Sequence, residues 1–122
     1  MIKPDNLLST AKEFSLDENE VILRESIKLS YYYVYHTVYL LLNEKNINCN
    51  DQKMGSHEQL IGRVKSINDK EGRKLGDILR RLRNRRVNAC YSLDKNNFTK
   101  QLASQHILEC EKYIERFSNL IK

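Results

Sequence analysis

LRRLRNRRVNACYSL, residues 79–93, is the most basic stretch of the chain, and its apolar spacing predicts one helix. Residues three and four apart share a helix face, so this segment carries an apolar line. The line consists of Leu75, Ile78, Leu79, Leu82 and Ala89. Arg86 lies on it, although a guanidinium facing a core is costly unless it is paired or faces a cleft. Either Arg86 has a buried partner, or its face lines a groove or a subunit interface.

The composition favours helices throughout the 122 residues, because there are only one proline and four glycines. Apolar periodicity predicts helices over residues 4–14, 17–44, 56–68, from 71 through the basic stretch, and 98–121. Residues 17–44 are apolar on two faces, which predicts a central helix with neighbours on both sides. We expect one all-α domain spanning residues 1–122, an antiparallel up-and-down bundle of four main helices with a short N-terminal helix.

The charge is divided unevenly along the chain. Residues 1–60 contain six Lys/Arg and nine Asp/Glu, whereas residues 61–122 contain fifteen and seven. Such an asymmetry indicates a polyanionic partner such as nucleic acid, although a solvated helix face would give the same count. The chain has neither an apolar run long enough to cross a bilayer nor the apolar core of a secretory signal. We therefore expect no membrane association and a cytoplasmic location.

Common catalytic and metal-binding motifs are missing from the sequence. There is no HExxH, no phosphate-binding glycine loop, and no motif for a serine or cysteine nucleophile. Cys49, Cys90 and Cys110 include no CxxC pair and are expected to be reduced thiols. We expect no metal and no cofactor. His36 and His106 lie on apolar helix faces and are expected to be core histidines, and His57 is expected to lie near a helix cap.

Metal-independent RNA cleavage is the chemistry that the basic stretch could perform. It requires a cation beside the phosphorane and a group that moves the proton of the 2′-hydroxyl. Arg86 could supply the cation, and Asn88 and Tyr91 are the nearest polar groups. An amide cannot act as a base, and an unperturbed tyrosine has a pKa near 10. On an unbroken helix, moreover, Tyr91 would point roughly away from the Arg86 line.

The chain resembles the HEPN superfamily (higher-eukaryote-and-prokaryote nucleotide-binding) of small helical bundles. ESIKLSYYYVYHTVYLLLNEKNI, residues 25–47, is similar to the family's aromatic helix through Tyr32, Tyr33 and His36, and the Ser56-His57 pair looks like a subgroup feature. RLRNRRVNACY, residues 81–91, is similar to a motif in which histidine follows arginine after four to six residues, and to R-x-x-(A/G)-D-Y. Arg86, Ala89, Cys90 and Tyr91 match the second form, with cysteine in the aspartate position. The motif histidine is absent.

The resemblance implies an RNA- or nucleotide-binding protein of a prokaryotic toxin–antitoxin or phage-defence system, either a ribonuclease or a protein that binds RNA without cleaving it. It implies a homodimer in which the motif arginines line a shared cleft. The implied catalytic residues are Arg86, Tyr91 and Asn88. The implied RNA-binding residues are Arg80, Arg83, Asn84 and Arg85, and His36 and Tyr33 would support the site.

Two alternatives follow. One is a non-catalytic HEPN module that has lost the nuclease and binds a partner, for example a minimal nucleotidyltransferase that modifies a motif tyrosine. The other is a helical assembly protein in which Arg86 pairs with a buried carboxylate.

Overall fold

A computed structural model describes residues 1–47, 55–95 and 97–122 of the protein. These residues form five helices and no strand: α1 (Pro4–Phe14), α2 (Glu20–Glu44), α3 (Ser56–Lys65), α4 (Glu71–Tyr91) and α5 (Lys100–Leu120). The all-α prediction is confirmed within those ranges. None of the described helices has the length and apolar character that a bilayer crossing requires.

Local capping sets the helix starts. Pro4 occupies the first turn of α1, where its missing N–H is not needed. The Asn19 side chain accepts a hydrogen bond from the Val21 amide at 2.9 Å and starts α2. Thr99 does the same for α5 through the Leu102 amide at 3.1 Å. As a result, α2 begins three residues later than the periodicity predicted.

Helix α2 is central, as predicted from its two apolar faces, and contacts each of the other four helices. The main core is built from α2, α3, α4 and α5, and its fully enclosed members include Tyr31, Leu42, Leu60, Leu79 and Phe117. A second cluster joins the start of α2 to the end of α4. It consists of Ile27, Ala89 and Phe98.

Helix α3 lies close against the start of α4. A Cβ at Gly72 would lie 2.9 Å from the Val64 carbonyl oxygen, so a larger residue would push the two helices apart. Lys65 pairs with Asp77 at 3.0 Å across the same contact. This packing brings the first turn of α3 to the middle of α4, where the basic stretch lies.

Cys90 and Cys110 form no disulfide, as predicted, and Cys49 lies outside the described residues. Burial raises the pKa of the Cys110 thiol to about 12. The Cys110 thiol is therefore not a reactive nucleophile.

Candidate arginine–tyrosine site

A cleft of about 380 Å³ lies between the first half of α2 and the last half of α4. We call it the Arg86 cleft. Its floor includes Tyr32, Arg86 and Ala89, and its rim includes the exposed side chains of Val21, Tyr91 and Leu93. Helix α4 is unbroken through Tyr91, and Tyr91 is 74% exposed while Arg86 is 9% exposed. Arg86 and Tyr91 thus face in different directions, as expected, but line the same cleft.

Arg86 is buried without a carboxylate partner among the described residues. Its guanidinium carbon lies 5.8 Å from the centre of the Tyr31 ring and 5.5 Å from that of Tyr32. Its Nε is buried and has no hydrogen-bond acceptor. The aromatic faces offset part of the desolvation of the charge, but the buried Nε–H has no acceptor among the described residues. Of the two possibilities left by the sequence, the structure therefore matches a groove-lining arginine.

His57 joins Arg86 from α3. Its Nδ1 lies 2.6 Å from the Tyr31 hydroxyl oxygen, and its ring packs 4.9 Å from the ring of Tyr35. Burial lowers the pKa of His57, and the Arg86 and Arg83 guanidinium groups lower it further. We call Tyr31, Tyr32, His57, Arg83 and Arg86 the arginine–tyrosine cluster. His57 lies in the first turn of α3, near its cap as expected, and it also contacts Tyr31.

Glu58 is the carboxylate at the edge of this cluster. It accepts a hydrogen bond from Arg80 at 2.9 Å and lies 3.6 Å from Arg83. The hydrogen bond from Arg80 lowers the pKa of Glu58, so it is ionised at neutral pH. The Nε of Arg83 is buried and unpartnered, as is that of Arg86. Glu58 therefore faces Arg83 of the cluster and Arg80 beside it but not Arg86, and the positive charge of the cluster is incompletely balanced.

Three other predicted site residues lie on the opposite side of α4. Asn84, Arg85 and Asn88 line a separate cleft of about 340 Å³ against α5. The Asn88 amide oxygen accepts a hydrogen bond from Ser92 at 3.3 Å. Arg85 pairs with Glu109 at 2.6 Å and contacts His106 at 3.1 Å. The structure thus separates these residues from Arg86, with which the sequence had grouped them.

Tyr33, His36 and His106 differ in their burial and in their distance from the Arg86 cleft. Tyr33 is buried on the far side of α2, where burial and nearby Asp5 and Glu111 raise its pKa. It does not line the Arg86 cleft. His36 is exposed, so its prediction as a core histidine is wrong, and its ring lies 6.0 Å from that of Tyr32. His106 is completely buried, so the same prediction is confirmed for it.

Tyr31, Tyr32 and His57 of the cluster, and Glu58 at its edge, were not predicted as site residues from the sequence. A signal was present, because Tyr31, Tyr32 and Tyr35 follow helical spacing and His57 lies in the first turn of the next helix. Among the described residues, no group of three or more His, Cys, Asp or Glu side chains is arranged to hold a metal ion. No family model matches the chain, and no curated protein matches it.

Proposed function

We propose that the protein binds RNA in the Arg86 cleft and cleaves it without a metal ion, as a HEPN-like effector of a prokaryotic toxin–antitoxin or phage-defence system acting in the cytoplasm. The observation that carries the proposal is the burial of Arg86 without an anionic partner in the part of the chain that the structure describes. A guanidinium binds phosphate oxygens through charge-assisted, often paired hydrogen bonds. A phosphodiester would supply the acceptor that the Arg86 Nε–H lacks among the described residues.

The surroundings of Arg86 support a polyanionic ligand. Arg83 adds a second guanidinium whose Nε has no acceptor, and Tyr32 offers a half-buried ring on the wall of the cleft. Rings beside cationic groups suit single-stranded RNA, since bases stack on aromatic faces while phosphates bind the charges. Glu25 also lines the cleft, but it lies 3.6 Å from Lys28, which offsets its charge.

Ion pairs and one hydrogen bond indicate the directions of the helices that pack against α4. The pair of Glu58 with Arg80 and that of Lys65 with Asp77 support an antiparallel α3 and α4. The hydrogen bond from Arg24 to the Ala89 carbonyl at 3.1 Å supports the same relation for α2 and α4. Arg116 of α5 pairs with Glu71, and Arg85 pairs with Glu109, which supports an antiparallel α4 and α5.

Helix α3 departs from simple up-and-down alternation. His57 contacts Tyr31, and Arg63 donates to the Asn43 side chain at 2.7 Å. Residue numbers increase in the same direction in both helices, which supports a parallel α2 and α3. We infer an antiparallel bundle in which α4 opposes α2, α3 and α5.

The rim of the cleft supports a second copy as its cover. Val21 is 67% exposed, Tyr91 74% and Leu93 76%, and all three surround the Arg86 cleft. Exposed apolar groups gathered around a charged centre are typical of surfaces that bind a partner. In the proposed homodimer, the two copies of Arg86 face one shared crevice.

RNA binding by Arg86→Met tests the proposal. Methionine keeps the volume and removes the charge, so we expect labelled single-stranded RNA to bind at least about tenfold more weakly, the loss of one charge-assisted contact. The measurement is fluorescence anisotropy with a chelator present, and gel analysis of the same mixtures detects cleavage. Arg73→Met is the matched control, because Arg73 is exposed on the same helix and does not line the cleft. Equal binding by Arg86→Met and wild type would contradict the proposal.

A second candidate function is favoured by the exposure of Tyr91. Its phenol is 74% exposed at the end of α4, where a modifying enzyme can reach it. The alternative is a non-catalytic HEPN module whose partner, a minimal nucleotidyltransferase, adds a nucleotide to Tyr91. Co-purification with the product of the neighbouring gene, followed by mass spectrometry of Tyr91, tests this alternative. An unmodified Tyr91 in such a complex, together with RNA cleavage by the isolated protein, would contradict it.

A further inference from the structure

The arginine–tyrosine cluster contains a histidine where the sequence motif has none. Of the two polar groups nearest Arg86 in the motif, Asn88 lies in the separate cleft against α5 and Tyr91 lies on the exposed rim. His57 is not part of the cleft lining, but it packs against the ring of Tyr32, which lines the cleft and which Arg86 also faces. His57 belongs to α3 and contacts Tyr31 and Tyr32 of α2. It is therefore far in sequence from the basic stretch of α4. We infer that His57 is the proton-transfer group for RNA cleavage at Arg86, and that Tyr31 is its positioning residue. This inference rests on the proposed function.

The position of the imidazole is fixed by its neighbours. Tyr31 is 1% exposed, and its hydroxyl oxygen lies 2.6 Å from His57 Nδ1. The rings of Tyr32 and Tyr35 lie 6.2 Å and 4.9 Å from the imidazole. A hydroxyl both donates and accepts hydrogen bonds, so Tyr31 can hold the ring in either neutral tautomer. The ring therefore stays in place while its protons move.

His57 also has a free nitrogen to offer. Its Nε2 has no hydrogen-bond partner among the described residues, and it is not one of the enclosed unpartnered atoms. The side chain is partly exposed, in contrast to Tyr31 behind it. When Nδ1–H donates to the Tyr31 oxygen, Nε2 carries the lone pair that a general base needs.

The charges around His57 favour its neutral form. Arg83 and Arg86 of α4 are positive, Tyr31, Tyr32 and Tyr35 of α2 are neutral, and Glu58 is the acid beside it on α3. Burial and the two guanidinium groups lower the pKa of His57, with Glu58 acting in the opposite sense. A neutral imidazole at physiological pH can accept a proton, and a bound phosphate would offset the arginines once it has done so.

The reaction then balances without a further reagent. His57 Nε2 takes the proton of the 2′-hydroxyl as the 2′-oxygen attacks phosphorus and forms the new P–O bond. Arg86 stabilises the added negative charge of the phosphorane. The bond from phosphorus to the 5′-oxygen breaks, and the imidazolium returns its proton to that oxygen. The products are a 2′,3′-cyclic phosphate and a 5′-hydroxyl, and His57 ends as it began.

The other two histidines do not fit this role. His106 is fully enclosed, and burial lowers its pKa to about 3. It contacts Arg85, on the other side of α4. His36 is exposed and contacts the rings of Tyr32 and Tyr35, with no arginine contact among its ring pairs. His57 lies against both rings that Arg86 faces, with ring-centre distances of 5.6 Å to Tyr31 and 6.2 Å to Tyr32.

The test separates binding from cleavage with two RNA ligands. Wild type, His57→Gln and Arg73→Met are compared for anisotropy binding of a 2′-O-methyl RNA, which cannot be cleaved, and for chelator-resistant cleavage of the same sequence with 2′-hydroxyls. We expect His57→Gln to bind within about threefold of wild type. Its cleavage should fall at least about 100-fold, and the acidic limb of the pH–rate profile should disappear.

Two further variants guard against a merely structural effect. His57→Asn gives a second neutral side chain if the glutamine variant unfolds, and circular dichroism checks both. Tyr31→Phe keeps the ring and removes the anchor, so we expect slower cleavage with a displaced acidic limb and unchanged RNA binding.

Each outcome decides a different point. Cleavage by His57→Gln at the wild-type rate overturns the assignment of His57 and leaves the proposed function standing. If the wild type binds RNA but does not cleave it, the assignment of His57 is also overturned, and only the RNA-binding part of the proposed function remains. Absence of RNA binding by the wild type overturns the proposed function and the inference together.

Discussion

Arg85 and Arg86 are neighbours in the sequence, yet their surroundings are opposite in kind. Arg85 points towards α5, where its Nη1 lies 2.6 Å from Glu109 and 3.1 Å from His106. Arg86 points towards α2 and α3, where it meets the rings of Tyr31 and Tyr32 and has no carboxylate partner among the described residues. Arg85 contacts His106 directly, whereas Arg86 and His57 pack against the same two rings, those of Tyr31 and Tyr32.

The difference indicates two roles for a buried arginine, namely stabilising the fold and binding a ligand. Consecutive residues project about 100° apart around a helix, so α4 presents one guanidinium to each side. The charge of Arg85 is balanced within the chain, which is what a stabilising buried pair requires. Arg86 retains a buried Nε–H with no acceptor among the described residues, and an unsatisfied buried donor lowers stability. We therefore assign Arg85 to the fold and Arg86 to a ligand, and four measurements can break or sharpen this contrast.

The largest effect should come from acid. The pKa of His106 falls from 6.5 to about 3 on folding because the ring is buried. Between these values the unfolded chain binds a proton that the folded chain does not, so stability is intact above about pH 6.5 and falls as the pH decreases towards 3. We expect a loss of somewhat more than about 1 kcal/mol per pH unit, on the order of 5 kcal/mol in all, in urea unfolding.

His106→Gln isolates this effect. The variant lacks the titrating ring, so its free energy of unfolding should depend less steeply on pH, whatever its absolute stability. A slope equal to that of the wild type would show that His106 is protonated in the folded protein, and that the α5 side is more open than its burial indicates.

Arg85→Met should have the next largest effect. It leaves the Glu109 carboxylate and the His106 ring without their shared donor. Both partners of the ion pair are about three-quarters buried, so we expect a loss of about 2 kcal/mol in the free energy of unfolding, below the value for a fully enclosed pair. Arg81→Met, at an exposed position on the same helix, should change stability by less than about 0.5 kcal/mol. An Arg85→Met protein as stable as the wild type would remove Arg85 from the fold-stabilising class.

Arg86→Met should act in the opposite direction. It replaces a buried cation that has no carboxylate partner within the described ranges by an apolar side chain of similar length, and it removes the unpartnered Nε–H. We expect the free energy of unfolding to rise by about 1 kcal/mol. The measurement is denaturant unfolding beside Arg85→Met. A loss as large as that of Arg85→Met would mean that Arg86 has a stabilising partner after all.

The helices were predictable from the sequence, because each buries a face with a clear period. Residues 4–14 were predicted to the residue, and α4 and α5 within a few residues. Arg86 was predictable too, since an arginine interrupts the apolar line of Leu79, Leu82 and Ala89. These signals are local, and a single helix is enough to produce them.

The partners of Arg86 were not predictable, because they depend on packing between helices. Tyr31 and His57 are 26 residues apart, and no spacing rule joins them. The motif also grouped Asn88 with Arg86, although the two line different clefts. His36 was predicted to be buried because Leu29, Tyr33 and Leu40 share its helix face, but that face is partly open at His36 and Leu40.

The smallest effect should come from Glu58→Gln. This change removes the carboxylate at the edge of the arginine–tyrosine cluster, whereas Arg85 keeps the carboxylate of Glu109. Glu58 is the carboxylate that faces Arg80 and Arg83, and its side chain is 35% exposed. Its removal should change stability by less than about 0.5 kcal/mol and tighten RNA binding about threefold at low salt. Anisotropy titrations at low and high salt measure the gain, which should shrink as salt screens the charges.

Glu109→Gln is the matched control for this last change, because it removes the carboxylate that faces Arg85. If the ligand binds at the arginine–tyrosine cluster, Glu109→Gln lowers stability and leaves RNA affinity unchanged. The reverse pattern, tighter binding in Glu109→Gln alone, would place the anion in the cleft of Asn84 and Asn88. Arg86 would then be a buried charge with no ligand, and its burial would need another physical cause.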